Sequence, residues 1–411
     1  MTSRALATEI VHKLTNAGYT AYFAGGWVRD YLLGHPSEDI DIATDAPPEK
    51  ILDLFPHTLL IGLSFGIVVV IIDGHQFEVA TFRRDMEYVD GRKPTAIELA
   101  TAEEDALRRD FTINGMFYDP LEDIIYDYVH GKEDLKHKII RTIGDPYARF
   151  TEDRLRMIRA FRFAARFDFT IDFDTREAIR ANAPTLFPPV AMERVWNELV
   201  KMSTHLHFAN TLVDMHRLEL LPVIFPTLQG VHLNEIKHRV APFADFPQDT
   251  PTMWFLLELF PDISPGEVKE LCTYLKTSKA DMELALYLLH VKDAVARETS
   301  SVVDLLQWAT IYAHPAVQQA LVVVGVRLSI EMRKELLEKH QKRILQLQMH
   351  IQRIRDKKPL VTGTMLQEQG ILPGKKMGLL LKEAERLAII HDDNDSEAVI
   401  EKLKLSPLWK Q

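Results

Sequence analysis

Hydrophobic and polar positions change their spacing once along the chain, close to residue 140. Before that point, apolar residues recur at helical intervals over residues 6–14, and the apolar run at 21–24 predicts a short strand. Two further strand-like runs, 66–72 and 76–82, are separated by an Asp-Gly-His sequence that predicts a hairpin turn. The first part of the chain is therefore predicted to be an α+β domain with an antiparallel or mixed sheet.

After about residue 141, strand signals nearly vanish. Prolines separate a series of predicted amphipathic helices at 151–167, 192–205, 208–220, 265–277, 280–291 and 301–312. One longer helical pattern covers 330–356, and a segment rich in Gly and Pro separates it from a final helix. We predict an α+β class protein with an N-terminal head followed by an all-helical neck, body and tail. The predicted boundaries are 1–140, 141–205, 206–330 and 331–411.

Composition limits the class of protein. A chain of 411 residues is longer than one hydrophobic core usually supports, which is about 250–300 residues. No apolar run approaches the ~20 residues needed to cross a bilayer, and the polar N-terminal segment does not resemble a secretory signal. Cys272 is the single cysteine of the sequence, so an internal disulfide and a multi-cysteine zinc site are excluded. These features favour a soluble cytoplasmic protein without membrane partners.

Two closely spaced aspartates are the first candidates for chemistry. Asp39 and Asp41 would lie on one face of a strand, where their carboxylates repel each other without a cation between them. Mg²⁺ prefers hard oxygen ligands and is commonly bound by one or two carboxylates together with substrate phosphates. Glu78, a lone acid in an apolar strand, would add a third ligand. Taken alone, such an aspartate pair more often makes an edge strand soluble.

A Gly-Gly pair upstream makes a nucleotide site the better interpretation. Gly25 and Gly26 follow the predicted strand at 21–24 and precede a short predicted helix that carries Arg29. Glycines at such a position let the backbone approach a phosphate, and a helix N-terminus adds a favourable partial charge. Two glycines, an arginine and two aspartates in this order are much more specific than any of them alone.

Four motifs in the same order resemble one family, the class II tRNA nucleotidyltransferases and bacterial poly(A) polymerases of the polymerase-beta-like superfamily. The resemblance is strong over about the first 225 residues and weaker in the tail, from residue 359 to 381. The motifs are GGWVRDYLLG at 25–34 with the two aspartates after it, RRDFTIN at 108–114, EDRLRMIRAFR at 152–162 and ERVWNE at 193–198.

The resemblance implies roles for ten residues. Asp39 and Asp41 would hold Mg²⁺, and Glu78 would be a third catalytic carboxylate, placed by its strand position and not by a motif. The residues implied to bind the nucleotide are Gly26, Arg29, Arg109, Asp153, Arg156, Arg159 and Arg162. The implied reaction transfers a nucleotide from CTP or ATP to the 3′-hydroxyl of RNA without a template. It releases pyrophosphate and needs no side-chain nucleophile.

Asp153 and Arg156 suit the selection of C and A. Their spacing places them on one face of the predicted helix, where an ionised Asp only accepts hydrogen bonds and Arg only donates them. Cytosine and adenine each present an amino donor beside a ring-nitrogen acceptor, whereas uracil and guanine present a carbonyl oxygen and a ring N–H. A mismatched buried polar group costs about 1–3 kcal/mol, enough for substantial discrimination. The charge spacing alone fits a solvated basic helix equally well.

An RNA partner requires local basic clusters, because the formal net charge is −10. Residues 333–358 contain nine Lys or Arg against three acids, and two lysines lie at 375–376. Basic stretches of this kind attract a phosphate backbone, although a solvated helix fits the charges of 333–358 equally well. By the resemblance, segment 363–378 would contact the tRNA.

We therefore expect an enzyme that completes the CCA end of tRNA from CTP and ATP. Segment 81–94 resembles the flexible loop that relatives use in changing from C to A addition. The alternatives are a bacterial poly(A) polymerase, an enzyme that adds only A, and a non-catalytic RNA-binding protein. The acidic segment 391–397 and the lack of basic residues in 62–66 favour CCA addition over poly(A) addition. The sequence predicts no oligomeric state.

Overall fold

The computed structural model describes residues 1–35, 37–59, 66–85, 97–298 and 304–410. It divides into two compact units. The first is Met1–Ala241 with Thr273–Thr277, and the second is Pro242–Cys272 with Ser278–Gln411. No described helix combines the length and apolar character that crossing a membrane requires.

Seven described strands of the first unit form one mixed sheet. Their order is β3-β4-β5-β2-β1-β8-β9, with β2 parallel to β5 and the other neighbours antiparallel. The remaining strands form two small pairs, β6 with β7 and β10 with β11. The strands are β1 (Ala21–Ala24), β2 (Asp41–Thr44), β3 (Thr58–Leu59), β4 (Ile67–Ile72), β5 (His75–Thr81), β6 (Arg83–Asp85), β7 (Ile97–Leu99), β8 (Met116–Asp119), β9 (Ile124–Asp127), β10 (Ile139–Ile140) and β11 (Thr170–Ile171).

The hairpin between β4 and β5 has the turn that its sequence predicts. Asp73 and Gly74 both have positive φ, 49° and 78°. Two such residues between antiparallel strands match the right-handed twist of the strands. The turn fixes the register in which Val69 pairs with Glu78. The predicted hairpin and the predicted α+β head are both confirmed.

Helices α1–α12 begin in the first unit and surround or follow the sheet. In α1 the residues Leu6, Ile10 and Leu14 are fully buried, as their helical spacing predicts. The helices are α1 (Ser3–Asn16), α2 (Gly26–Leu32), α3 (Pro48–Leu54), α4 (Ala102–Leu107), α5 (Gly131–His137), α6 (Pro146–Glu152), α7 (Leu155–Phe167), α8 (Phe173–Asn182), α9 (Met192–Ser203), α10 (Phe208–Arg217), α11 (Leu220–Ile224) and α12 (Leu233–Val240).

In the later part of the chain, the described residues form helices and their connecting segments, without a strand. Its last helices share a core of their own that includes Leu366, Leu380 and Leu403. The helices are α13 (Thr252–Leu257), α14 (Pro265–Leu275), α15 (Lys279–Glu298), α16 (Leu305–Ala313), α17 (Val317–Gly325), α18 (Ile330–Gln346), α19 (Gln348–Arg355), α20 (Gly363–Glu368), α21 (Lys375–Ile390), α22 (Ser396–Lys404) and α23 (Pro407–Lys410).

Two predicted helices are each divided in the structure. The predicted helix 151–167 is interrupted between Glu152 and Leu155, and the predicted helix 330–356 is interrupted at Leu347. A capping aspartate explains the first interruption, as described below. The second has no proline or glycine, and nothing in the structure explains it beyond the burial of Leu347.

Candidate active site

A cavity of about 810 Å³ in the first unit collects nearly all of the residues implicated by sequence. Its walls come from the β1–α2 connection, the residues before and at the start of β2, the segment after α4, and α7. Nine of the ten predicted site residues line it, and Glu78 does not. The nine are Gly26, Arg29, Asp39, Asp41, Arg109, Asp153, Arg156, Arg159 and Arg162.

The two aspartates reach the cavity in a different way from that predicted. Asp41 is the first residue of β2, but Asp39 lies before the strand, so the prediction that both lie on one strand face is wrong. Ser37 explains the difference, because its hydroxyl group donates to the carbonyl of Asp39 and accepts from its N–H, which holds a turn there. Both aspartates nevertheless line the cavity.

Sheet pairing places Asp41 beside the other candidates. It pairs with Ala24 on β1, directly before the glycines. On the other side, Ile42 pairs with Val79 in the parallel strands β2 and β5, so Glu78 is the neighbour of Asp41 across that pair. Glu78 is exposed and lies outside the cavity wall. Glu78 therefore lies next to the cavity and does not form part of its wall.

The site is electrostatically strained around Asp41. Its pKa is raised to about 6, mainly because the surrounding protein removes the carboxylate from bulk water. The like charges of Glu78 and Asp39 raise the pKa further, and the positive charge of Arg109 lowers it. The side chain is nonetheless open to the cavity itself. A bound cation would relieve this repulsion, so the donor set fits a metal ion. Among the described residues, no three His, Cys, Asp or Glu side chains form a ready-made metal cluster.

Gly25 lets the Arg109 side chain come closer to the backbone than a residue with a Cβ atom would allow. Its φ is +62°, and a Cβ atom there would lie 2.8 Å from Nη1 of Arg109. That guanidinium is held by Asp105 at 3.0 Å and packs over the ring of Phe117. The Arg109 guanidinium is therefore held directly beside the backbone of the β1–α2 connection.

Arg29 is buried in a network and is not directed freely into the cavity. Its Nε donates to Asp30 at 2.8 Å and its Nη1 donates to the Asn114 side chain at 2.5 Å. Burial is the main cause of its lowered pKa, about 10. Asp30 also accepts from Arg166 at 2.9 Å, which links α2 to α7. Sequence reasoning missed Asp30 and Asn114 as partners, although both lie inside the quoted motifs.

Asp153 lies between two helices, so the prediction that it shares a helix face with Arg156 is wrong. Its Oδ1 accepts from the N–H of Leu155 at 3.0 Å, and this capping starts α7 after the aspartate. Its Oδ2 accepts from Arg194 at 3.1 Å. Arg156 pairs instead with Glu152 at 2.6 Å. Both Asp153 and Arg156 line the cavity, each oriented by a different partner.

The other two predicted arginines of α7 also have acidic partners. Arg159 pairs with Asp110 at 2.5 Å, and burial of Asp110 is outweighed by Arg159 and Asn114, which hold the pKa of Asp110 at about 2. Arg162 approaches Glu198 to 2.6 Å. Asp110, Arg194 and Glu198 were not predicted as site residues. All three lie within the family motifs at 108–114 and 193–198, and these motifs are the sequence signal that could have identified them.

The basic stretch 333–358 is largely neutralised within the second unit. Arg333 pairs with Asp245, and Arg343 and Lys339 pair with Glu298. Arg353 and Lys334 likewise have glutamate partners, and Arg355 donates to backbone carbonyls. In the described residues, three cations of this stretch lack such a partner: Lys342, Lys357 and Lys358. Residues 60–65 and 86–96, which include most of the two loops named above, lie outside the described residues.

Two family models match the chain. Residues 21–141 match the "Poly A polymerase head domain", and residues 168–230 match the "Probable RNA and SrmB-binding site of polymerase A". A CCA-adding enzyme from Ligilactobacillus salivarius is 33% identical over 404 residues, which cover 97% of this chain and 95% of the relative. The chain belongs to the CCA-adding enzyme family.

Solved structures of CCA-adding enzymes have the same fold as this chain. The crystal structure of the Bacillus stearothermophilus CCA-adding enzyme in complex with CTP has a TM-score of 0.81 and 27% identity, and it covers 98% of both chains. The Thermotoga maritima CCA-adding enzyme complexed with tRNA shares the fold, with a TM-score of 0.67 at 20% identity over 98% of this chain and 94% of that one. The predicted fold class and the predicted enzyme family are confirmed.

Proposed function

We propose that this enzyme completes the CCA end of tRNA by adding C and A from CTP and ATP, without a nucleic-acid template. One observation carries the proposal. A single cavity holds the carboxylates Asp39 and Asp41 beside an acceptor, Asp153, and a donor, Arg156. Membership of the CCA-adding enzyme family supports the same conclusion.

The carboxylates provide for the phosphoryl transfer. Asp39 and Asp41 are the residues that would hold the metal ion of this metal-dependent family, which we assign as Mg²⁺, and Glu78 adds negative charge beside them. When bound, the ion stabilises the charge that develops on the phosphates and favours attack by the RNA 3′-hydroxyl. Gly26 and the positioned Arg109 would accommodate the triphosphate.

Base choice is assigned to the two residues that open into the cavity from the start of α7. Asp153 would accept a hydrogen bond from the amino group of C or A, and Arg156 would donate to the ring nitrogen beside it. Arg194 and Glu152 hold these two side chains in place. Arg159 and Arg162, each neutralised by an acid, complete the wall on that side.

The functional division of the chain remains part of the proposal. We assign residues 1–140 to a catalytic head, 141–205 to a neck that recognises the base, 206–330 to a body and 331–411 to a tail that binds tRNA. The cavity fits the first two assignments, because its lining residues lie between Gly25 and Arg194. The compactness of α20–α22 around their own core supports the tail as a structural element.

Three tRNA transcripts test the proposal. They end in the discriminator base, in C or in CC, and each is incubated with labelled CTP and ATP. We expect the first to take two C and one A, and the last to take one A and then stop. Failure to incorporate C would indicate an A-only enzyme, and continued A addition would indicate a poly(A) polymerase. Asp41→Ala, prepared in parallel, controls for contaminating activity.

A further inference from the structure

A second cavity, of about 450 Å³, lies on the opposite side of α7 from the active site. Phe161 and Ala164 line this cavity, whereas Arg159 and Arg162 line the active site. The remaining walls come from β11 and the helices α8, α10 and α12. The volume is within the range of about 300–1,000 Å³ typical of small-molecule sites. None of the residues assigned to catalysis or base choice contributes to it.

The cavity has an apolar floor and a polar rim. Phe161, Phe169 and Val213 are buried, with exposed fractions of 1%, 8% and 7%. Around them, Thr170 and Asn210 are exposed and present a hydroxyl group and an amide. An apolar surface with a few polar groups around it can take a planar base while the polar groups fix its orientation.

The rim carries three cations and two acids: Arg176, Arg217, Lys237, Asp168 and Asp214. Arg217 pairs with Asp214, and Asp168 lies 3.3 Å from Nδ1 of His207. Within the described part of the chain, Arg176 and Lys237 have no acidic partner. The formal rim charge is 3 − 2 = +1: Arg176 and Lys237 are available to an anion, and Asp168 offsets one of their two charges.

We propose that this cavity binds one nucleotide of the RNA substrate, with Arg176 and Lys237 on its phosphodiester and the base against the apolar floor. The inference rests on the proposed function in taking RNA as the substrate, and it adds a site outside the active site. A phosphodiester carries one negative charge and matches the rim. A free nucleoside triphosphate carries about four and would be left largely uncompensated there.

The test uses the full-length enzyme and a fluorescent tRNA that lacks CCA. Arg176→Ala with Lys237→Ala removes both phosphate contacts, and Asn210→Trp fills the mouth of the cavity without changing its charge. A matched control, Lys136→Ala with Lys201→Ala, removes two exposed cations that line neither cavity. Thermal unfolding verifies that each variant folds. The dissociation constant of the RNA is measured between about 50 and 200 mM salt.

We expect the Arg176/Lys237 variant to weaken RNA binding about tenfold and to lower the slope of log K against log salt by about 1.4, or about 0.7 for each lost contact. Asn210→Trp should weaken binding about threefold or more with an unchanged slope. If both variants bind RNA like the control pair, the proposal is wrong. If they lose CTP affinity and keep RNA affinity, the ligand is a free nucleotide and the assignment to RNA is wrong.

CTP addition at saturating RNA separates this inference from the proposed function. We expect the wild type and all of these variants to add CTP at the same maximal rate, because the active site is unchanged. A wild-type enzyme that adds no C would contradict the proposed function, while the RNA-binding comparison would still decide whether the second cavity is a nucleotide site.

Discussion

At the scale of single residues, Gly25 shows how closely the backbone and the Arg109 side chain approach each other. Gly25→Ala should lower kcat/KM for CTP and ATP alike by at least about tenfold, because the added Cβ would lie 2.8 Å from Nη1 of Arg109 and displace it. Gly34→Ala is the matched control, since Gly34 also has positive φ, +79°, but its Cβ would meet nothing within 4 Å. Both changes should cost stability because they place a Cβ atom at positive φ, and Gly25→Ala should cost more, because the ψ of Gly25, −118°, lies outside the left-handed helical region. Equal losses of activity would contradict this role of Gly25.

Asp41 predicts a pH dependence of metal binding. Its pKa is raised to about 6, so protonation removes a ligand below that pH. The apparent dissociation constant of Mg²⁺ should therefore rise about tenfold between pH 7.5 and pH 5. Titration of the enzyme with Mg²⁺ at the two pH values measures this change. Asp110, with a pKa of about 2, stays ionised throughout.

The control for that titration is Asp41→Asn, which should bind Mg²⁺ weakly at both pH values. An affinity in the wild type that does not change between pH 7.5 and pH 5 would show that Asp41 is not a ligand.

At the scale of elements, the sequence predicted which residues share the cavity better than it predicted their local structure. Periodicity predicted the hairpin and the buried face of α1, because regular elements repeat their pattern. It misplaced Asp39 on a strand and Asp153 on a helix, because side-chain hydrogen bonds by Ser37 and by Asp153 itself end the regular structure there. Such bonds compete with helix and strand pairing, and residue spacing does not reveal them.

The acidic partners that α7 finds in distant parts of the chain, Asp110 and Glu198, could not be derived from spacing. Arg162 and Glu198 come from different helices, α7 and α9, and only folding brings them to 2.6 Å. Pairings of this kind depend on how helices pack, so a single sequence contains the residues without their connection. Both residues lie within family motifs, but the motifs do not show that the two side chains pair.

The contact between α7 and α9 predicts a large stability effect. Glu198→Ala should destabilise the enzyme by up to about 3–5 kcal/mol, because it removes the paired carboxylate of the Arg162 guanidinium, which is 12% exposed, and leaves only the weaker attraction of Asp110. Glu177→Ala removes an exposed ion pair with Arg180 and should cost only about 0–1 kcal/mol. Chemical denaturation of the two variants measures the difference. Similar midpoints would show that the Arg162–Glu198 pair adds no net stability.

At the scale of the whole molecule, an acidic enzyme must bind a polyanion through a few available cations. Lys357→Ala with Lys358→Ala should raise the KM for tRNA and reduce the salt slope of binding by about 1.4–1.8, leaving the KM for CTP unchanged. The matched control is Lys279→Ala with Lys334→Ala, since each of these lysines has a glutamate partner four residues later. If the control pair has the larger effect on the salt slope, charge pairing does not determine which lysines contact RNA.

The central claim is that protein side chains choose the base. The direct measurement is kcat/KM for CTP, ATP, UTP and GTP on one primer RNA, with the wild type and with Asp153→Asn combined with Arg156→Gln. The wild type should prefer CTP and ATP by about 100-fold or more, since two mismatched hydrogen bonds each cost about 1–3 kcal/mol. The double variant should lose most of its activity with CTP and ATP and gain relative use of UTP or GTP. A double variant that retains the wild-type preference would contradict the claim.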